Sequence, residues 1–135
     1  MIPAAILQLR LQNQQLHAAA FKKPEQGVAW MGAIQAQDYA GCKWAVGLRL
    51  PGTTDSSIEQ AINKGRIIRI HVLRPTWHLV HPADIRWMLD LTAPRVHAFS
   101  AFGYRQMELT DRQKASGNAT IKKGKSAWSS RHLKN

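Results

Sequence analysis

The chain has 135 residues, 44% hydrophobic and 20% charged, with 19 Lys or Arg against 8 Asp or Glu and a formal charge of +11. That size and composition support one folded domain or part of one, burying about 70% of the unfolded surface, and exclude disorder throughout. The single cysteine, Cys42, excludes an internal disulfide and a cysteine-based zinc cluster. Residues 1–9 lack the positive start of a signal peptide, and no apolar run approaches the roughly 20 residues of a membrane span. The expected location is the reducing cytoplasm, with no membrane partner. Seven basic residues and no acidic one follow position 111, whereas residues 1–111 carry a net +4. Rich in Ser, Gly and Asn, residues 112–135 read as a basic, disordered tail.

Ile6, Leu9, Leu16 and Ala20 recur at helical spacing and predict a first amphipathic helix across residues 3–20. Pro24 suits a first-turn position, where its missing N–H removes no bond, and Glu25 suits the positive helix end. Together they predict the start of a second helix with Val28, Met31 and Ile34 inward. Residues 44–50, between Gly41 and a turn at Pro51 and Gly52, fit a short helix or a strand, and the short helix is expected. Ser56 and Glu59 match a capping box and Gly65 a stop, which predicts a third main helix over 57–64 with Ile58, Ala61 and Ile62 inward.

The apolar period then changes from 3.6 to 2. Ile68, Ile70 and Val72 alternate with Arg69 and His71, a turn follows at 74–76, and residues 77–80 return, which predicts an antiparallel hairpin. Pro82, Ala83 and Asp84 open another helix carrying Ile85, Met88, Leu89 and Leu91. Pro94 marks its expected end, and residues 96–106 form a further helical stretch.

Three helices followed by a two-stranded hairpin is the element order of a winged helix, a helix-turn-helix with a β-hairpin wing. The expected fold class is α+β, mainly α. A winged-helix module spans 1–81, additional helices over 82–111 begin a following module, and 112–135 is the tail. In such units the second helix of the motif enters the DNA major groove, here the helix 57–64. Lys64, Arg66, Arg69 and Arg74 line its end and the wing and suit phosphate contacts. Trp77, beside the wing, is the tryptophan positioned to touch DNA, whereas Trp30, Trp44 and Trp87 are expected in the core. His71 and His78 are expected as packing or backbone-bonded residues, and Asp38 as the cap of the segment that follows it. His78 and His81 straddle a predicted strand end, so their spacing makes no metal site.

Four blocks recur in order: Gly32-Ala33-Ile34-Gln35-Ala36-Gln37-Asp38-Tyr39, then Trp44-Ala45-Val46-Gly47-Leu48-Arg49-Leu50-Pro51, the hairpin 69–80, and Arg86-Trp87 through Leu91-Thr92-Ala93-Pro94-Arg95. Over roughly residues 5–123 they resemble the bacterial winged-helix DNA-binding proteins related to crosslink-unhooking, alkylpurine DNA glycosylases. The resemblance implies tandem winged helices with a concave DNA-binding face. It also implies a catalytic signature of Gln, a small or apolar residue, then Gln or Asp, and Gln35-Ala36-Gln37 matches its Gln form. The implied reaction hydrolyses N-glycosidic bonds of N7-alkylated or crosslinked purines in double-stranded DNA, with no metal and no organic cofactor. Such purines are cationic and leave readily, so neutral amides that hold a water behind C1′ suit the chemistry. Members of that family are much longer, and the chain is expected to be a truncated N-terminal part. Whether it is an enzyme stays open at this level, the alternative being a non-enzymatic, regulatory DNA-binding module.

Spacing adds a structural demand. On a helix Gln35 and Gln37 would point about 200° apart. In extended backbone they would point the same way, about 7 Å apart. Joint action on one water requires the second helix to end near Ile34 or Gln35.

Overall fold

The computed structural model describes residues 3–17, 20–74 and 76–132, with side chains to residue 123. Residues 18 and 19 of the expected first helix and Pro75 of the expected turn lie outside the described residues. The element order is α1 (Ala4–Asn13), α2 (Pro24–Met31), β1 (Ala33–Gln35), α3 (Tyr39–Gly47), α4 (Asp55–Asn63), β2 (Ile68–Val72), β3 (Thr76–Val80), a single 3-10 turn (Pro82–Asp84), α5 (Ile85–Gln106) and α6 (Asp111–His132). Among the described residues the protein is thus mainly helical α+β with a three-stranded antiparallel sheet, ordered β1-β3-β2.

Each early helix has a chemical start and stop. Pro24 opens α2, and the Gln26 side chain accepts the Lys22 and Lys23 amides at 3.0 and 3.1 Å. Gly32, at φ +70°, ends it in the left-handed region that side chains avoid and turns the chain into β1. Asp38 caps α3 as expected, Oδ1 accepting from Ala40 N at 3.0 Å and Gly41 N at 3.3 Å. For α4 the capping box is Thr54 with Ser57, each side chain accepting the other's amide at 3.2 Å, and not the expected Ser56 with Glu59. The helix begins two residues earlier than expected, and Glu59 instead joins an ion pair described below. Gly65, at φ +68°, ends α4 as expected.

The short segment expected as helix or strand belongs to α3, and the hairpin falls where the alternation placed it. The strand β1 was not anticipated from periodicity, since three residues are too few to show an alternation. α1 is shorter than expected and buries none of its residues. Its end is tied down by Gln14, whose Oε1 accepts from Arg49 Nη2 at 2.9 Å.

Pro94 does not end a helix, because α5 runs through it to Gln106. Proline removes one backbone donor and one intrahelical bond, and here the turns on either side carry the helix past it. The chain does divide by compactness just beyond that point, into Met1–Val96 and His97–Asn135. In the second unit residues 112–132 of the stretch expected as a loose tail are helical, in α6, with Arg112, Lys122 and Lys123 exposed, and residues 133–135 lie outside the described residues.

The two faces of the sheet carry two cores. Directly paired residues share a face, so Ile34, Leu79, Arg69, Trp77 and His71 lie on one side and Ala33, Gln35, His78, Ile70 and Val80 on the other. The first side packs Ile34 and Leu79 against Val28 of α2, Val46 of α3 and Ile58 and Ala61 of α4. The second packs Val72 and Val80 against Met88 of α5, with Ile68, Ile70, Ile85 and Leu89 around them.

Both cores are built from aliphatic side chains. Trp30, Trp44 and Trp87, expected inside, are 59%, 68% and 51% exposed. Short layers between the helices and the sheet hold Val, Ile and Ala closely, and a buried indole would need more room and a partner for its N–H. Trp87 finds that partner at the surface, its Nε1 donating to Asp84 Oδ1 at 2.9 Å.

Leu79 is fully buried at the centre of the sheet. Leu79→Ala is expected to lower the unfolding free energy by about 2–5 kcal/mol, and Asp38→Ala, through loss of a cap, by about 1 kcal/mol, both read from urea midpoints.

Candidate functional site

Gln35 ends β1, Ala36 follows it fully buried, and Gln37 lies at a bend in the chain, with both glutamines exposed. The second helix ends at Met31, four residues before Gln35, so no helix runs through the segment.

Three contacts fasten the segment. The Ala36 amide donates to the Trp77 carbonyl at 2.7 Å. The Ala36 carbonyl, which would otherwise continue the ladder, accepts from Arg69 Nε at 3.1 Å and Nη2 at 2.9 Å, and Nη2 also reaches the Gln37 carbonyl at 3.5 Å. The Trp77 amide donates instead to the Gln37 side chain, 2.7 Å from Oε1. An amide N–H meets only an acceptor, so the carboxamide orientation of Gln37 is decided: its oxygen is committed and its NH2 is left to serve as donor.

Arg69 is half-buried and lies between two rings, 4.4 Å from the Trp77 centroid and 5.3 Å from that of Tyr39. A planar guanidinium suits this slot because it can stack on rings while its edge donates to a carbonyl. The residue marked in the sequence as a phosphate contact is therefore fastened to the backbone of the Gln-Ala-Gln segment. Trp77, marked as the DNA-touching aromatic, is half-buried against the first core and stacked by His71 at 3.8 Å between centroids.

The other basic candidates stand apart from this cluster in the contacts they make. Lys64 caps the C-terminal end of α4 and is exposed. Arg66 follows it and pairs with Glu25 at 3.5 Å. Arg74 is exposed in the hairpin turn. His78 is half-buried, its Nδ1 2.9 Å from the Thr76 carbonyl, the backbone-bonded role expected of it.

A polar network that the sequence reading missed supports the ring beneath Arg69. The Tyr39 hydroxyl donates to the Glu59 carboxylate, 2.9 Å from each oxygen. Lys43, largely buried, sets its Nζ 2.9 Å from both Asp55 and Glu59 and 4.8 Å from the Tyr39 ring centroid. The signal for it was spacing: Tyr39 and Lys43 are four apart on α3, Asp55 and Glu59 four apart on α4, so each pair shares a helix face. Bonds to Asp55 and Glu59 raise the Lys43 pKa, and bonds from Lys43 and Tyr39 lower that of Glu59. Burial, then Glu59, raises the Tyr39 hydroxyl. Burial also pushes up the Cys42 thiol, which donates to the Tyr39 carbonyl at 3.1 Å.

Among the described residues no group of three or more His, Cys, Asp or Glu side chains could hold a metal ion. No described helix is long and apolar enough to cross a membrane. A cavity of about 960 Å³ is lined by residues of the second unit, including His97, Tyr104, Arg105 and Lys114, and by none of the residues above.

The Glu59 shift has a definite sign. A carboxylate whose folded pKa lies below its ordinary 4.5 contributes stability above that value, which is lost as the pH falls through the depressed folded value. Wild-type protein is expected to lose its stability advantage over Glu59→Gln as the pH is lowered below 4.5, measured by urea midpoints at neutral and acidic pH.

Comparison with known proteins bears on the whole of this geometry. A family model described as DNA glycosylase AlkZ-like matches residues 28–127. The solved structure of Streptomyces sahachiroi DNA glycosylase AlkZ is similar at a TM-score of 0.67 with 23% identity, covering 77% of this chain and 28% of that one. The likeness to that structure is one of fold. No curated protein matches the chain. The family match spans most of the chain, both cores and the Gln35-Ala36-Gln37 segment, and on it the chain belongs to the AlkZ-like DNA glycosylase family.

Proposed function

We propose that this chain is a DNA-binding winged-helix module that carries the water-positioning site of a DNA repair glycosylase, acting on N7-alkylated or crosslinked purines in double-stranded DNA in the cytoplasm. The observation that carries the reading is the Gln35-Ala36-Gln37 segment: two exposed amides flanking a buried alanine at the end of β1, whose carbonyl Arg69 holds.

In this reading α3 and α4 are the helix-turn-helix and β2 with β3 the wing. The module spans 1–81, residues 82–111 begin a following module, and 112–135 add non-specific attraction for phosphates. Lys64, Arg66 and Arg74 contact the backbone of the duplex. Arg69 and Trp77 serve the same surface from inside it, by holding the segment that meets the sugar.

The chemistry asks little of the protein beyond placement. An N7-alkylated purine already carries the positive charge that makes it a good leaving group, so no strong acid has to protonate it. What the site supplies is a water held behind C1′, and positioning of that kind lowers a barrier by several kcal/mol. Gln37 donates to the water through its NH2, and Gln35 accepts one of the water's hydrogens. A shallow exposed site also admits bulky lesions that an enclosed base-flipping pocket would reject.

Incubation of the intact chain with duplex DNA containing N7-methylguanine is expected to release the free base. Gln35→Ala or Gln37→Ala should slow single-turnover release by about 100-fold with duplex affinity retained, a loss of the size seen for one positioned polar group. Tight duplex binding with no release from the wild-type chain would select the regulatory, non-enzymatic reading instead. Phosphate contacts are read separately: Lys64→Ala or Arg74→Ala should each reduce the slope of log affinity against log salt by about 0.9.

A further inference from the structure

The sheet brings a histidine to the glutamines. In the β1–β3 ladder Gln35 stands directly opposite His78. The next pair, Ala36 and Trp77, is joined by a backbone bond of 2.7 Å, Ala36 donating. Pair types alternate along an antiparallel ladder, so Gln35 with His78 is a non-hydrogen-bonded pair, the type whose side chains approach most closely, with Cβ atoms about 5 Å apart. Both side chains leave the sheet on the same face, with Ile70 of β2 as His78's other neighbour.

The protonation pattern of the imidazole follows from its backbone bond. Nδ1 lies 2.9 Å from the Thr76 carbonyl oxygen, which can only accept, so Nδ1 carries the hydrogen. In the neutral ring the lone pair is then on Nε2. The contact that ties His78 to the backbone thus makes it an oriented acceptor. Gln37 is oriented in the complementary sense, with its oxygen bound to the Trp77 amide and its NH2 available to donate. A water held beside Gln35 would find a donor in the Gln37 amide and an acceptor in the unprotonated nitrogen of His78.

We propose that His78 is the base that takes a proton from the attacking water at the Gln35–Gln37 site, an assignment that rests on the glycosylase reading above. As the water oxygen bonds to C1′, the C1′–N9 bond breaks and its electron pair neutralises the cationic purine ring. One water proton passes to His78 Nε2, and the imidazolium then releases it to solvent. No further reactant is required.

The test uses the intact chain and duplex DNA carrying N7-methylguanine. His78→Gln is expected to lower the single-turnover rate constant by 100-fold or more, as for loss of a general base, with unchanged half-saturating protein concentration. His78→Gly should regain part of the lost rate on addition of imidazole, which a purely structural role would not produce. The ring ¹⁵N shifts of neutral His78 should report hydrogen on Nδ1. A His78→Gln rate within twofold of wild type would overturn the assignment, as would hydrogen found on Nε2 or a loss that imidazole leaves unrestored. The two levels separate cleanly: release by wild type that His78→Gln does not slow removes this proposal alone, whereas no release by wild type removes the glycosylase reading and this one with it.

Discussion

The Arg69 guanidinium is the contact on which the rest of the site depends. It takes the Ala36 carbonyl out of the β1–β3 ladder with two N–H groups, at 3.1 and 2.9 Å, and lies between the rings of Trp77 and Tyr39 while doing so. With that carbonyl turned away, the Trp77 amide has no backbone acceptor on β1, and the Gln37 side chain supplies one. One cation therefore decides where the strand stops pairing and which end of Gln37 faces outward. Tyr39 holds the far side of the slot, itself fixed by Glu59, which is held in turn by Lys43, the cation that also pairs with Asp55. Charge-assisted bonds in a half-buried setting are stronger than their solvent-exposed counterparts, and a chain of them makes a rigid backing from flexible side chains.

The fold serves this arrangement by placing a sheet between two aliphatic layers. Three helices cover one face and the start of α5 the other, so β3 at the centre is held from both sides. β1 is only three residues long, yet its Ile34 lies in the first core and its Ala33 against the second. A strand anchored on both faces cannot slip by one residue without exchanging its buried and exposed side chains. That constraint keeps Gln35 opposite His78 and leaves the glutamines exposed at the end of the strand.

The expected phosphate contacts divide into two kinds once the contacts are known. Lys64 and Arg74 end a helix and a hairpin turn with exposed side chains, as surface cations do. Arg69 does not belong with them. Its position on β2 was read correctly as the face opposite Ile68 and Ile70, but that face packs against Tyr39 and Trp77 rather than solvent. Alternation tells which residues share a side, and it is silent on whether that side is covered. The three exposed tryptophans carry the same lesson in reverse, since a large apolar residue is not bound to be buried.

By itself, the sequence determined the local chemistry of the chain: Pro24 as the start of α2, Asp38 as a cap, Gly65 as a stop, and the hairpin from its period of two. It also required the helix before Gln35 and Gln37 to end, and α2 ends at Met31. These are effects of neighbours within four residues, and such effects are written in spacing. Only the tertiary structure decided what crosses between segments: β1 as an edge strand, Arg69 on the Ala36 carbonyl 33 residues away, Trp77 bound to Gln37 40 residues away, and His78 opposite Gln35. It also decided that Glu59 joins Lys43 and not a cap, and that α5 continues past Pro94. Each of those outcomes is a competition among partners distant in sequence, settled by packing, and no local pattern records its result.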